Sequence, residues 1–250
     1  MRVNFAAAGA PAPTLPIWRY GRNDEGLEHA IWDGHFNRAL SLHFHPEVQI
    51  TIVLAGRRDF LTAGGLVTVV AGETLIVPSG QPHAALGLAR ERILSFNLYL
   101  SALSDVRSQG VLVVRTPRWL RGTTDDGGSA LVQDWASNHL NGARGRQSEP
   151  ISDVTANVVA DDGLSIADIA SKHGVSREGF IRWFRRHTGM TPHAYRLVHR
   201  LNRARGLLAA GTMPAQAAAE AGFADQSHMG RHFRRAFGVA PGNYRRAVHS

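Results

Sequence analysis

The residues of this 250-residue chain best equipped for chemistry begin with an alternating run: His43, His45, Glu47 and Gln49, interleaved with Phe44, Pro46, Val48 and Ile50. Successive strand side chains point to opposite faces, so a period of two predicts all four polar groups on one face. A further histidine, His83, closes the spacing Gly72-x5-Pro78-x-Gly80-x2-His83. Imidazoles with an amide oxygen can ligate Fe, Mn, Ni or Zn. The same groups can hydrogen-bond a polar small molecule in a pocket wall. They also suit a solvated face carrying incidental histidines, and the residues alone leave the three readings open.

A second set is built from arginine. Residues 184–196 (FRRHTGMTPHAYR) and 233–245 (FRRAFGVAPGNYR) share one frame displaced by 49 positions. Phe184, Arg185, Arg186, Gly189, Pro192, Tyr195 and Arg196 recur as Phe233, Arg234, Arg235, Gly238, Pro241, Tyr244 and Arg245. Upstream, Ala170 and Gly174 are answered by Ala218 and Gly222 at a displacement of 48, so one turn is a residue longer. Helical solenoids usually stack three or more units, so a single repetition points to two copies of a small helical module. The planar guanidinium fork suits phosphate and the O6/N7 edge of guanine.

Charge follows the same division. From Lys172 onward there are 14 Lys/Arg against 3 Asp/Glu, or +11, while the preceding residues hold 14 against 17, or −3. That is the electrostatic footprint of a polyanion-binding half joined to an ordinary half. The arginines are interleaved with short, turn-punctuated helices, unlike the polybasic tail or Lys/Arg-faced amphipathic helix that serves a membrane surface. Cysteine is absent, which excludes disulfides and thiolate metal sites. The opening MRVNFAAAGAPAPTLP lacks a signal-peptide core, and no run approaches the ~18 apolar residues of a membrane span. The expected location is cytoplasmic.

Stepping along the chain, residues 1–16 read as a loose Ala/Pro-rich arm. Short strand-like runs follow to about 115, among them SLHFHPEVQITIVLAG, LVTVV, TLIVPSG and RILSFNLYL, separated by Gly56, Gly64–Gly65, Gly72 and Pro78–Gly80. Such spacing predicts a sandwich or barrel. Ser129–Leu140 carries Leu131, Val132, Trp135 and Ala136 at helical spacing, to pack on the barrel or form a dimer seam. Residues 141–150, NGARGRQSEP, are the expected linker.

From about 151 the pattern is helical. Ile166, Ile169 and Ala170 face one way, Gly174 stops the helix, Val175 is expected to turn inward, and Ser176 caps the next helix. There Phe180, Trp183 and Phe184 form the expected core stripe, leaving Arg177, Glu178, Ile181, Arg182 and Arg185 outward. The second module repeats the logic: Pro214 in a first turn, Gly222 at the bend, Asp225 as cap, and Met229 and Phe233 inward. Gln226, Ser227, His228, Arg231 and Arg234 face out. Helix, tight turn and a second helix with a polar face is a helix-turn-helix. A helix of roughly 18 residues, about 27 Å, links the two. That rod could hold two recognition helices about one DNA turn apart, ~34 Å.

The run AEAGFADQSHMGRHFRRAFGVAPGNYR, Ala219–Arg245, resembles the signature of the AraC/XylS family of bacterial transcription regulators, and SIADIASKHGVSREGFIRWFRRHTGMTPHAYRLVHRLNRARGLL, residues 165–208, resembles that family's other helix-turn-helix, the likeness covering about 151–246. The resemblance assigns base contacts to Glu178, Ile181 and Arg182, and to Gln226, Ser227, His228 and Arg231. Ile181 departs from a polar reader and could meet only a thymine methyl. The histidine-bearing runs resemble the two motifs of cupins, small jelly-roll barrels that many such regulators use to bind effectors. In that barrel His43, His45, Gln49 and His83 would converge inside, where cupin enzymes hold a divalent metal. Gln49 stands where the family has a carboxylate, which removes a negative charge, and Glu47 sits two residues out of frame. Trp18, Trp32 and Phe36 are candidate aromatic walls.

The expected molecule is therefore α+β with two domains. An arm (1–16) precedes a cupin-like jelly-roll barrel (17–115), a helical linker region that could dimerise (116–150), and an all-α double helix-turn-helix domain (151–250). The expected function is a non-enzymatic regulator of transcription. Its partners would be double-stranded DNA, a small-molecule effector in the pocket of His43, His45, Glu47, Gln49 and His83, a second copy of itself, and RNA polymerase. No cofactor is required in this reading, with a divalent metal in the pocket as a variant. The rival is a metal-dependent cupin enzyme, a dioxygenase or isomerase, fused to a DNA-binding domain.

Overall fold

Strand runs broken by turns, followed by capped helices, give the chain two halves of different class. The computed structural model describes residues 17–23, 26–35, 39–87, 91–101, 110–121, 128–142 and 163–249. The expected arm at 1–16, nearly all of the expected linker at 141–150, and Phe36 lie outside them.

The first half contains β1 (Ile17–Arg22), β2 (Glu28–His35), β3 (Val48–Ala55), β4 (Arg57–Thr62), β5 (Gly65–Val70), β6 (Glu73–Val77), β7 (His83–Leu86), β8 (Arg92–Leu100) and β9 (Leu112–Arg115). They form a six-stranded sheet, β1-β2-β8-β3-β6-β9, and a three-stranded sheet, β5-β4-β7, with every described pairing antiparallel. Trp32, Val53, Leu75, Val77 and Ile93 of the large sheet pack with Phe60, Val69 and Ala85 of the small one, forming the inner core. On the other face of the large sheet, Val48, Ile50 and Ile52 pack with Leu120, Val132 and Ala136. The last two belong to α1 (Gly128–Gly142), so this helix covers the sheet. Burial on both faces explains why even the polar residues of β3, Gln49 and Thr51, are out of contact with solvent. Gly56 makes the β3–β4 turn at φ +73°, and a Cβ there would lie 2.5 Å from the Arg92 carbonyl oxygen.

The second half contains α2 (Ile166–Lys172), α3 (Arg177–Thr188), α4 (Pro192–Ala209), α5 (Pro214–Glu220), α6 (Gln226–Phe237) and α7 (Pro241–His249). Most repeated residues take the same job twice. Phe184 and Phe233 are wholly buried. Gly189 and Gly238 end α3 and α6, both at φ +76°, a conformation glycine adopts without the Cβ clash. Pro192 and Pro241 open the next helix. Arg196 donates to the Leu164 carbonyl and Arg245 to the Gly211 carbonyl, each tying a unit's last helix to its first turn. Two of the repeated arginines are thus internal clamps rather than DNA ligands.

Ser176 and Asp225 cap α3 and α6 as the sequence predicts. Two expected core positions are corrected. Val175 is 47% exposed, and Trp183 is 39% exposed, resting on Phe180 and His187 at the edge of the first unit. Phe180 and Phe184 fill that core against Ile166, Ile169 and Ala170 of the short α2.

Candidate functional site

The outer faces of α3 and α6 carry most of the residues expected to meet DNA. Arg177, Glu178, Arg182 and Arg185 on α3, and Gln226, Ser227, Arg231 and Arg234 on α6, are exposed. Arg177 Nη1 lies 3.5 Å from Glu178 Oε1, an exposed pair of the weak kind. Ile181 is corrected: it is half-buried against the Ile166–Phe184 core, because Phe184 lies one turn on, at i+3, on a neighbouring face. His228 is also half-buried, edge-on to Phe223 and 4.9 Å from the ring of His232. α4 spans 18 residues, the rod length expected between the units.

In the first half, His43, His45 and His83 come together. One ring nitrogen from each lies within 4.8 Å of the others, and all three side chains are buried. The means differ from a single strand face. β3 begins only at Val48, His43 is bridged to His83 by backbone hydrogen bonds in both directions, and a bend at Pro46–Glu47 separates His45 from the strand. His43 Nδ1 lies 2.8 Å from the Ser41 carbonyl and His83 Nδ1 3.0 Å from that of Gln81. A carbonyl only accepts, so in neutral His43 the Nδ1 carries the proton and Nε2 keeps its lone pair, while His83 faces an acceptor oxygen through each ring nitrogen. Gln49 donates to Thr51 Oγ1 and places its Oε1 3.1 Å from His83 Nε2. His45 Nδ1 is buried without a hydrogen-bond partner among the described residues. Glu47 stands apart from this cluster and accepts from Arg205 instead.

Sequence reasoning missed what closes this pocket. Phe237, the last residue of α6, packs its ring 5.7 Å from His43 and 5.6 Å from His45. Arg205 of α4 donates to Glu28 at 2.8 Å and to Glu47 at 2.9 Å, and Tyr244 of α7 donates to the other Glu28 oxygen. Tyr20 of β1 donates to the Phe237 carbonyl. Asn202 donates to the Phe44 carbonyl, and Phe44 packs with Met190 and Val198. The signal for Arg205 was available: Val198, Leu201 and Leu208 mark the buried stripe of α4, and Arg205 sits on it where an apolar residue is expected. Behind Phe237 the cavity is only about 10 Å³, lined in part by His43, Gln49, His83 and Tyr99. Beside it lies a cleft of about 540 Å³, walled by Leu42, Met190, Val198 and Leu201 and including Arg185, His232 and Arg235.

Burial holds all three imidazoles neutral. It lowers His43 to about 3, with the neighbouring His83 adding to the effect, lowers His83 to about 4, and pushes His45 well below the ordinary range. In the unfolded chain they take up protons near pH 6.5. The unfolded state therefore binds more protons below that pH, and stability present above 6.5 is lost as pH falls toward 4. Chelator-treated protein should lose up to ~1.4 kcal/mol per pH unit for each histidine across that window. Melting scans between pH 6.5 and 5 test this. An identical slope in a His43→Asn/His45→Asn/His83→Asn protein would assign the acid sensitivity to other groups.

Both halves match known families. Residues 27–101 match the model of an AraC-like ligand binding domain, and residues 160–247 that of a helix-turn-helix domain. The chain is 26% identical over 234 residues to a probable transcriptional regulator, LumQ, of Photobacterium leiognathi, covering 83% of this chain and 93% of that one. A 68-residue stretch is 37% identical to the uncharacterized HTH-type transcriptional regulator YbfI of Bacillus subtilis, covering 27% and 25% of the two chains. The fold is that of ToxT from Vibrio cholerae in its unsaturated fatty acid-bound form: TM-score 0.62, 14% identity, covering 95% of this chain and 97% of that one. No helix among the described residues is long and apolar enough to cross a membrane. With a ligand-binding β-domain followed by a duplicated helix-turn-helix, the chain belongs to the AraC family of DNA-binding transcriptional regulators.

Proposed function

We propose that α3 and α6 enter successive major-groove segments of double-stranded DNA and that Arg182, Arg231 and Gln226 carry most of the base discrimination. Glu178, Ser227 and His228 adjoin the same bases, and Arg177, Arg185 and Arg234 serve the phosphates. The observation that carries this reading is the duplication: two capped helices of the same frame present exposed polar faces at either end of an 18-residue rod. Arg231→Ala should cost ~1–3 kcal/mol at the cognate site and relax preference at one base pair. A binding-site selection experiment checks it; a loss equal for all sequences would make Arg231 a phosphate contact.

The domain division of this reading places the strands in a unit ending near residue 115 and the DNA-binding unit from about 151. The pocket of His43, His45, Glu47, Gln49 and His83 is its sensing centre, acting without catalysis. An organic effector needs more room than the space behind Phe237. The adjoining cleft has the size of a small-molecule site. Its apolar walls and basic groups suit an anionic amphiphile, the class of the fatty acid in ToxT. Ligand response requires unequal affinity for two arrangements of the helical half, and the contacts of Phe237 and Arg205 are what such a change would break. Cytoplasmic residence, contact with RNA polymerase and a homodimer complete the reading. The β9–α1 side, where Val113 and Trp119 stay exposed, offers the dimer surface.

A further inference from the structure

We propose that the β-domain takes a small organic monocarboxylate beside Arg58 of β4, the flat apolar body of the ligand entering the place that the Phe237 ring occupies. The proposal rests on the reading of this pocket as the sensing centre, and it names the class of molecule sensed.

The space between the two sheets is apolar at one end and polar at the other. Strand alternation puts Ser95, Asn97 and Tyr99 of β8 on one face. Gln49 and Thr51 of β3 lie beside them, Gln49 paired with Tyr99 and Thr51 with Asn97. All five are buried, an arrangement that costs free energy unless it serves a polar partner. Arg58 reaches this end from the small sheet. It is 3% exposed, donates from Nη1 to Ser95 Oγ at 3.1 Å, and holds its guanidinium 5.0 Å from the ring of Phe60 and 5.6 Å from that of Trp18. Burial lowers its pKa only to about 10, so it is a cation at neutral pH. The cavity behind Phe237 is walled by Arg58, Asn97 and Tyr99 as well as His43 and His83, and the described residues lining it include no Asp or Glu. Because burial keeps the imidazoles neutral, the charge this cavity offers a ligand is positive. Arg205, on the far side of Tyr99, is already offset by Glu28 and Glu47.

Two polar atoms of the same wall, Asn97 Oδ1 and Trp18 Nε1, are buried without a hydrogen-bond partner among the described residues. Asn97 is 2% exposed, and a half-turn of its amide would present N–H to a carboxylate. The indole N–H can only donate, so it too calls for an acceptor. A single guanidinium with flat apolar neighbours suits one carboxylate on an apolar body, held by charge-assisted hydrogen bonds. Phe237 indicates the shape of that body. Its ring stands edge-on to His43 at 5.7 Å and tilted over His45 at 5.6 Å, so a benzyl group already fills the slot. The space left over, about 10 Å³, holds a water at most, and ligand and Phe237 therefore exclude one another. The exclusion reaches the DNA-binding half. Trp18 packs against Gly238 so closely that a Cβ there would overlap the indole, Tyr20 donates to the Phe237 carbonyl, and the Ser41 N–H donates to that of Arg235. Displacing Phe237 thus loosens the end of α6 from the β-domain and frees the Trp18 edge for the ligand.

The test uses full-length protein and phenylacetate, whose benzyl group matches the Phe237 side chain and whose carboxylate supplies the anion, with binding followed by isothermal titration calorimetry and folding by circular dichroism. The expected result is saturation at one phenylacetate per chain, with the neutral phenylacetamide weaker by about tenfold or more. Phe237→Ala, which vacates the slot, should tighten phenylacetate binding by about tenfold or more, because the open state no longer has to be populated first. Arg58→Gln should weaken it by a similar factor, and Arg185→Ala/Arg235→Ala, in the adjoining cleft, should leave it unchanged. Because Arg58→Gln could unfold, Arg58→Lys serves as a second arm: it keeps the charge without the fork and should bind with intermediate affinity. Equal affinity for acid and amide, no binding to folded Phe237→Ala protein, or undiminished binding to folded Arg58→Gln protein overturns the site. Binding lost only with Arg185 and Arg235 overturns it as well and moves the anion to the cleft. A DNA mobility-shift assay with and without phenylacetate separates the two readings. Binding that leaves DNA affinity unaltered keeps the site and removes its sensing role, whereas absent binding with DNA recognition intact removes the site and spares the regulator.

Discussion

Arg205→Ala is expected to destabilise the protein by about 3–5 kcal/mol, the cost of removing one partner from a buried ion pair. The guanidinium is 4% exposed and lies against Glu28 and Glu47, whose side chains are 9% and 19% exposed. It also sits 4.7 Å from the ring of Tyr99, so the change removes packing as well as charge. Most of the loss arises from what stays behind: Glu28 keeps the Tyr244 hydroxyl but loses the cation that offset its burial. For a chain of this size that corresponds to a fall in melting temperature on the order of 10 °C. Removing the orphaned charge should restore much of it, so Arg205→Met/Glu28→Gln/Glu47→Gln is expected to melt well above Arg205→Ala. Calorimetry on the two variants decides. A single variant melting with the parent would mean that the two halves are held by the Phe237 and Phe44 packing and the Tyr20 and Asn202 hydrogen bonds, without the ion pairs.

DNA affinity should fall about a thousandfold between 50 and 200 mM salt. If one protomer neutralises about 6 phosphates, log K changes with log salt at a slope of about −5. The exposed basic groups are there to do so: Arg177, Arg182 and Arg185 on α3, and Arg231 and Arg234 on α6. Arg196, Arg205 and Arg245 belong to the same +11 excess but are spent on carbonyl or carboxylate partners within the protein. Fluorescence anisotropy at several salt concentrations gives the slope directly. Near-constant affinity over that range would contradict a phosphate-anchored complex. Because the two outward faces differ in sequence, a single protomer should protect an asymmetric site of about two helical turns, and a palindromic footprint within one protomer's reach is the opposing result.

Much of the molecule was legible before any coordinate, for local reasons. Caps, helix-ending glycines and N1 prolines act through the backbone within a few residues, so Ser176, Asp225, Gly189, Gly238, Pro192 and Pro241 announced the helices they bound. Repetition marked the two units because identical packing demands identical residues, and the charge asymmetry marked which half meets a polyanion. The approach of His43, His45 and His83 was reached only with help from a resemblance: the alternating run supplied the residue types, but a bend at Pro46–Glu47 and pairing with β7, 40 residues away, supply the geometry. Across the seam between the halves, only the place of Arg205 on an apolar stripe gave a signal, and the partners it meets could not be read. Glu28 meets Arg205 and Tyr244 across separations of 177 and 216 residues. Phe237 covers the histidine pocket from the end of the second recognition helix. No local rule carries such distances, because a side chain's preference depends on its neighbours in space, and those are chosen only when the two halves pack.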